Sequence, residues 1–450
     1  MGKLFGTDGI RGIANVFPIT SEMVLDLGKA IATVFKDKCG KERPRFLIGK
    51  DTRVSGYMIE NALSSGILSA GADVLLVGVL PTPAVAYLTK SINADAGIVI
   101  SASHNPADDN GIKVFRADGQ KLSDNFEEEI EECVLNKKVN TDEIRGDLIG
   151  RLYRVQDAKG RYIEFAKASI NSMSLAGVKI VLDCAHGAAY RTAPEVFREL
   201  GADVTVLNDR PDGLNINSDC GALHPEHMME SVKKIKADIG IALDGDADRV
   251  IVCDEKGNTL DGDQIIAMCA ISMQEKGTLK KNGVAVTVMA NKGFDIAMQD
   301  KGIQVVKTKV GDRYVLEALK EYGYVLGGEQ SGHIIFFNNT TTGDGVISAL
   351  QLLKIIKEGG KKLSELAECM KPLPQVVVNI EVKEKKDIDS LQAKEKIVSA
   401  EKKLGERGRI LVRYSGTQNL CRIMVEGENM NDITKITNDI ANAIKKEIGI

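Results

Sequence analysis

Tryptophan is absent from this 450-residue chain, aromatic residues make up only 4% of it, and there are five histidines. No block of lysine and arginine stands out, and the formal net charge is −4. A nucleic-acid surface needs a basic stripe and stacking aromatics, so no nucleic-acid partner is expected. A basic cleft inside an acidic protein stays compatible with these totals, because net charge does not fix local fields. Apolar runs long enough for a membrane span are also missing, so no membrane partner is expected. The first residues, Met-Gly-Lys-Leu-Phe-Gly-Thr-Asp-Gly, have no apolar core, so no secretory signal is expected. The eight cysteines stand at 39, 133, 184, 220, 253, 269, 369 and 421, with no C-x-x-C pair among them. That spacing disfavours a zinc site or a dithiol redox motif. Cys184 and Cys253 lie in apolar runs, where cysteine behaves as a small buried hydrophobe. A reducing cytoplasm is the expected setting.

What is present is a grammar of apolar strands that stop abruptly in polar clusters. The length suggests about three or four domains, and an apolar content of 43% is ample for their cores. Strands are expected at 45–49, 74–77 and 96–100, with helices over 21–35, 59–70 and 125–135 and Ser21 as the first N-cap. A second unit has strands at 178–182, 204–207 and 239–243. A third has strands at 284–289, 304–307 and 324–326. The last unit alternates over 375–382, has strands near 409–412 and 422–426, and ends in an amphipathic helix over 432–446. The expected fold is therefore α/β: three similar mixed α/β domains (1–155, 156–255 and 256–368) and a smaller α+β C-terminal domain (369–450). The shared strand-then-turn pattern hints at an internal repeat.

Four of the polar clusters could carry chemistry. Ser101-Ala102-Ser103-His104-Asn105-Pro106 follows the strand 96–100, at the carboxyl end where open α/β sheets bind ligands. Taken alone it reads more readily as a turn whose Ser and Asn satisfy backbone groups. Asp244, Asp246 and Asp248 place three carboxylates within five residues, which repel unless a hard cation such as Mg²⁺ or Ca²⁺ holds them. An EF-hand is disfavoured because Arg249 stands where the loop needs Gly, and 250–253 reads as a strand. A phosphatase with Asp244 as nucleophile is the remaining chemical rival. Glu329, Ser331 and His333 sit in a Gly-bounded loop suited to hydroxyl-rich ligands, or to a plain capped turn. Arg413-Tyr414-Ser415-Gly416-Thr417, with Arg422, offers guanidinium forks, hydroxyls and freed backbone N–H groups to a phosphate, or forms an ordinary hairpin turn. Lys113, Arg11 and Lys50 are further cations, each more often solvated than functional. His186, His224 and His227 are given no role, and adjacency alone does not put the His104 ring on the Ser103 hydroxyl.

Taken together, F-G-T-D-G-I-R-G (5–12), S-A-S-H-N-P (101–106), D-N-G-I-K (109–113), D-G-D-A-D-R (244–249), G-E-Q-S-G-H (328–333) and R-Y-S-G-T (413–417) resemble the α-D-phosphohexomutase superfamily. Gln330 and D-G-L-N-I-N-x-x-C-G at 212–221 resemble its branch acting on glucosamine phosphates, with phosphomannomutase/phosphoglucomutase as the alternative. Tyr414, Gln418, Asn419 and Ala222-Leu223 depart from the usual pattern but leave the phosphate donors in place. The resemblance implies four domains around a central cleft and a phosphorylated Ser103. It also implies one Mg²⁺ bound by Asp244, Asp246, Asp248 and an oxygen carried on Ser103. Glu329, Ser331 and His333 would hold the sugar, and Arg413, Ser415, Gly416, Thr417 and Arg422 the phosphate that is not transferred. Arg249, Lys113 and Arg11 would supply positive charge, with Lys113, His104 and His333 as candidate bases. The implied reaction interconverts glucosamine 6-phosphate and glucosamine 1-phosphate through a hexose 1,6-bisphosphate, which also activates the enzyme, and supplies UDP-N-acetylglucosamine synthesis.

Overall fold

The structure, a computed structural model, describes residues 4–6, 8–139, 141–414 and 419–450. It forms two compact units: Met1–Met289 with Val305–Ala367, and Ala290–Gln304 with Glu368–Ile450.

The first unit is built on three sheets. The first sheet comprises β1 (Ile10–Ile13), β2 (Arg45–Lys50), β3 (Asp73–Val79), β4 (Ala96–Ile100), β5 (Asp109–Arg116) and β6 (Leu152–Arg154), in the order β1-β5-β4-β2-β3-β6. All five residues of β4 are buried. A strand covered on both faces reads as a continuous apolar run, which is why Ala-Gly-Ile-Val-Ile was legible. The helices Ser21–Cys39 and Ser55–Ser69 contribute Val24, Leu27, Ile31, Phe35, Ile59, Leu63 and Ile67 to its core. Gly28 and Gly66 let them touch: a Cβ on Gly28 would stand 3.2 Å from Gly66 Cα. The second sheet holds β7 (Lys179–Asp183), β8 (Asp203–Leu207), β9 (Ile239–Leu243), β10 (Val250–Asp254) and β11 (Thr259–Leu260), in the order β11-β10-β9-β7-β8. The third holds β12 (Gly283–Thr287), β13 (Gln304–Thr308), β14 (Leu326–Gly328) and β15 (Ile334–Phe336), in the order β13-β12-β14-β15.

One device recurs in all three sheets. A buried strand is followed directly by an antiparallel partner: β4 by β5, β9 by β10 and β14 by β15. The turns between them carry Ser103, the three aspartates and Glu329. The repeat hinted at in the sequence is thus a repeated hairpin, which keeps its pairing while its side chains diverge.

The second unit is a three-stranded antiparallel sheet, β16 (Gln375–Glu381), β17 (Arg409–Tyr414) and β18 (Leu420–Glu426), in the order β16-β18-β17. The helix Met430–Ile448 packs Ile433, Ile440, Ile444 and Ile448 against Ile380, Ile423 and Val425. The segment 290–304 belongs here, held by Lys292 N–H donating to Glu426 Oε2 at 3.0 Å and by Arg409 Nη2 donating to the Ala290 carbonyl at 3.0 Å.

Two local expectations are corrected. Thr20, not Ser21, caps the first helix: its backbone is extended and its Oγ1 accepts from Met23 N–H at 3.3 Å. The strand expected at 324–326 runs instead over Leu326–Gly328, because pairing with Phe336, Ile335 and Ile334 sets its register and two glycines hide it from propensity. All eight cysteines are free, and among the described residues no helix is long and apolar enough to cross a membrane.

Candidate active site

Ser103 sits in the β4–β5 turn with φ +52°, a left-handed conformation that side chains rarely adopt. Its hydroxyl donates to Asp244 Oδ2 at 2.6 Å, and its N–H donates to Ser101 Oγ at 2.9 Å. Ser101 in turn donates to Asp51 Oδ2 at 2.6 Å. The two serines, indistinguishable by spacing, therefore divide: Ser101 faces the scaffold, and Ser103 faces the carboxylates.

The β9–β10 turn brings one oxygen from each of Asp244, Asp246 and Asp248 to within 4.8 Å of one another. Asp244 Oδ1 accepts from Arg249 N–H at 3.1 Å, and Asp246 Oδ2 accepts from Thr82 Oγ1 at 2.6 Å. Asp246 Oδ1 and Asp248 Oδ1 are buried with no hydrogen-bond partner. Burial, with Asp248 and Asp246 alongside, pushes the Asp244 carboxyl well above the carboxylate range. Burial acts the same way on Asp248, but Lys113 and His333 overcome it and hold this carboxyl below that range. Buried, oxygen-only and partly orphaned, this cluster fits a hard divalent cation.

Lys113, on β5, is 3.0 Å from Asp246 Oδ2, 3.5 Å from Asp248 Oδ2 and 3.2 Å from Asp8 Oδ2. Burial disfavours its charge, but Asp246, Asp8 and Asp248 outweigh that and raise its pKa above the ordinary lysine range. Asp8 also pairs with Arg11 and Lys121, and Lys121 reaches Asp312 Oδ2 at 2.6 Å. Arg249 Nε lies 3.9 Å from Asp248 Oδ1.

His333 is engaged at both ring nitrogens. Gly343 N–H donates to Nε2 at 2.9 Å, so the ring proton stands on Nδ1, 3.6 Å from Asp248 Oδ2. Burial disfavours the charged ring, but Asp248, Asp312 and Glu329 outweigh it and raise the His333 pKa. His104 differs. Its Nδ1 is 3.4 Å from Ser103 Oγ, and burial together with Arg249 and Arg11 pushes its pKa down to about 4. Glu329 Oε1 accepts from Gly311 N–H at 3.2 Å, Ser331 is exposed, and Gln330 Nε2 donates to Asp261 Oδ2 at 3.1 Å.

Lys50 is drawn away from the cluster, pairing with Glu60 and lying 4.0 Å from the centre of the Tyr57 ring. Arg413 and Arg422 stand opposite each other on β17 and β18 of the second unit, where burial and Arg422 lower the Arg413 pKa. Ser415, Gly416 and Thr417 lie outside the described residues. The contacts of Asp8, Thr82, Asp51 and Asn217 were not legible in the sequence, although Asn217 lies within the quoted 212–221 stretch. Asp8 stood inside a quoted motif, but nothing local marked it as the acceptor shared by three cations.

Family models for the phosphoglucomutase/phosphomannomutase α/β/α domains I, II and III match residues 2–141, 160–257 and 261–373, and the model for the C-terminal domain matches 377–443. The phosphoglucosamine mutase of Pelobacter propionicus is 55% identical over 100% of this chain and 99% of its own length. The chain belongs to the phosphoglucosamine mutase family. Phosphoglucosamine mutases of Geobacter sp. strain M21 and of Syntrophus aciditrophicus match it at 55% and 53% identity, each over the whole chain and at least 99% of the relative. Solved structures share the fold at lower identity. A phosphoglucomutase/phosphomannomutase family protein from Burkholderia thailandensis aligns with a TM-score of 0.81 at 22% identity over 99% of both chains. N-acetylphosphoglucosamine mutase of Aspergillus fumigatus, solved with GlcNAc-6P and magnesium, aligns with a TM-score of 0.69 at 19% identity, over 98% of this chain and 95% of that one. Of the motifs quoted from the sequence, those at 101–106, 244–249 and 328–333 fall at the three repeated hairpin turns of the first unit, and that at 109–113 lies on β5.

Proposed function

We propose that the protein interconverts glucosamine 6-phosphate and glucosamine 1-phosphate, with Ser103 carrying the transferred phosphoryl group. One observation carries the reading: Ser103 Oγ lies 2.6 Å from a buried three-carboxylate cluster with orphaned oxygens. Asp244, Asp246 and Asp248, with an oxygen carried on Ser103, would hold Mg²⁺, which supplies positive charge against phosphoryl oxygens. Lys113, kept charged by its carboxylates, adds to that field with Arg249 and Arg11, as phosphoryl transfer requires. The Oγ–P bond of phosphoserine breaks as a bond forms from phosphorus to the sugar O1. The resulting 1,6-bisphosphate turns over, and its O6–P bond breaks as Oγ–P re-forms. The same bisphosphate, supplied from outside, would phosphorylate a bare Ser103 and so activate the enzyme. When O1 attacks, its hydroxyl proton passes to neutral His104 Nδ1 and on to Ser103 Oγ as Oγ leaves; when Oγ attacks in the second half, its proton passes to His104 Nδ1 and on to O6 as O6 leaves. Glu329 and Ser331 bind sugar hydroxyls, His333 steadies Asp248 beside them, and Arg413, Ser415, Gly416, Thr417 and Arg422 hold the phosphate at rest. A cytoplasmic setting accords with eight free cysteines.

An Asp244-nucleophile phosphatase is not favoured, since both oxygens of Asp244 are already hydrogen-bond acceptors. Peptide mass spectrometry should find phosphate on Ser103, and Ser103→Ala should abolish turnover. Specificity constants for glucosamine, glucose and mannose 6-phosphates should favour glucosamine, and a preference for either neutral sugar would overturn the substrate assignment.

A further inference from the structure

Two polar stretches have no role in this chemistry: Lys50-Asp51-Thr52-Arg53 at the end of β2, and D-G-L-N-I-N within 212–221. Both converge on the same two carbonyl oxygens. Arg53 Nη2 donates to the carbonyl of Asn105 at 2.6 Å and approaches that of Ser103 at 3.3 Å. Asn217 Nδ2, arriving from the second sheet's domain, donates to the Ser103 carbonyl at 2.9 Å and to the Asn105 carbonyl at 3.0 Å. Arg53 is fully buried and anchored, its Nη1 pairing with Asp51 Oδ2. The same Asp51 carboxylate takes the Ser101 hydroxyl, whose oxygen accepts the Ser103 N–H. The peptide groups on both sides of the Ser103 Cα are therefore tied, one through Ser101 and Asp51, the other through Arg53 and Asn217. Gly245, in the aspartate turn, completes the fit: a Cβ there would come within 2.7 Å of Asn217 Nδ2.

We propose that Arg53 and Asn217 are positioning residues, a two-sided carbonyl clamp that holds Ser103 in its left-handed conformation and so aims Oγ at the aspartate cluster. The inference rests on the reading that Ser103 carries the phosphoryl group. A left-handed serine is disfavoured unless its surroundings over-determine it, and such strain gathers at functional sites. Neither residue touches the reacting atoms. Their loss misaims Oγ without removing a substrate contact, so it lowers kcat and leaves KM in place.

Asn217 offers the cleaner test because it is only partly buried and itself has φ +58°, so Asn217→Gly keeps the backbone and removes only the amide. Its kcat should fall about 100-fold while KM for glucosamine 6-phosphate stays within about threefold. Asn217→Asp, which aims a carboxylate at two carbonyl oxygens, should be slower still. Asn215→Ala is the control. Among the described residues that side chain bonds Arg210 and Asp212 within its own loop, so full kcat is expected. Arg53→Lys, with one ammonium in place of a fork, should reproduce the kcat loss if it folds. Full kcat in Asn217→Gly, an equal loss in Asn215→Ala, or a change confined to KM overturns the clamp. An active Ser103→Ala overturns the underlying reading instead, whereas an inactive Ser103→Ala beside a fully active Asn217→Gly defeats the clamp alone.

Discussion

Lys113 holds its charge in a place that would strip it from an isolated amine. It is 2% exposed, and its ammonium is kept only because Asp8, Asp246 and Asp248 surround it. Removing one partner of a buried charge cluster leaves the others uncompensated. Lys113→Met should therefore lower unfolding stability by about 3–5 kcal/mol, read from urea denaturation, as well as abolish turnover. Asp246 and Asp248 then lose their lysine counter-charge, so added Mg²⁺ should raise the melting temperature of the variant more than that of the wild type. Equal Mg²⁺ responses would mean that lysine and cation do not share these oxygens. At this scale the sequence was ambiguous, since Lys50 and Lys113 both follow or lie in apolar strands. What separates them is Glu60 beside one and three distant acids around the other.

Among elements, the hairpin turns do the positioning, and the helix Gly262–Glu275 fixes one of them. Asp261 Oδ1 accepts from Gln264 N–H at 3.1 Å, Gln264 Oε1 accepts from Asp261 N–H at 3.4 Å, and Asp261 Oδ2 holds the Gln330 amide. One carboxylate thus caps a helix and steadies the 328–333 loop proposed to bind the sugar. Asp261→Ala should cost about 1–2 kcal/mol of stability through the lost cap. It should also raise KM for glucosamine 6-phosphate more than it lowers kcat, because Gln330 loses its anchor; an unchanged KM would remove Gln330 from substrate recognition. Helices and buried strands were legible because their periodicity is local. The pairing of β14 with β15, and of β5 with both β1 and β4, was not, since a strand rich in Gly, Asp and Asn is fixed by its neighbours rather than by propensity.

Across the first unit, a buried hydrogen-bonded pair links the helix Ala158–Ala168 to the N-cap of the helix Gly345–Gly359. Tyr162 donates to Asp344 Oδ1 at 3.0 Å, and Asp344 Oδ1 also caps the second helix through Ile347 N–H at 2.9 Å. Burial pushes the Asp344 carboxyl up to about 7, although the Ile347, Tyr162 and Val346 hydrogen bonds pull the other way. The folded protein thus retains a proton that the unfolded chain loses near 3.8. The contribution is complete below the unfolded value, declines as pH rises toward 7 and is lost above it. Asp344→Asn keeps an oxygen for both hydrogen bonds and carries no charge. Relative to wild type it should become progressively more stable from pH 4 to pH 7 and hold a constant difference above that, read as urea midpoints across the range. Parallel curves would show that Asp344 is ionised throughout.

By itself the sequence determined the α/β character, the order of the motifs and the chemistry each offers, because strand periodicity, turn residues and side-chain type are local properties. It also carried the family, through six short motifs spread over the whole chain. The tertiary structure added the hydrogen bonds that turn Ser101 toward Asp51 and Ser103 toward Asp244, and it gathered Asp8, Lys113 and the three aspartates into one cluster. Those outcomes depend on burial and on charges brought together from far apart in the chain, and neither can be read from neighbours in sequence.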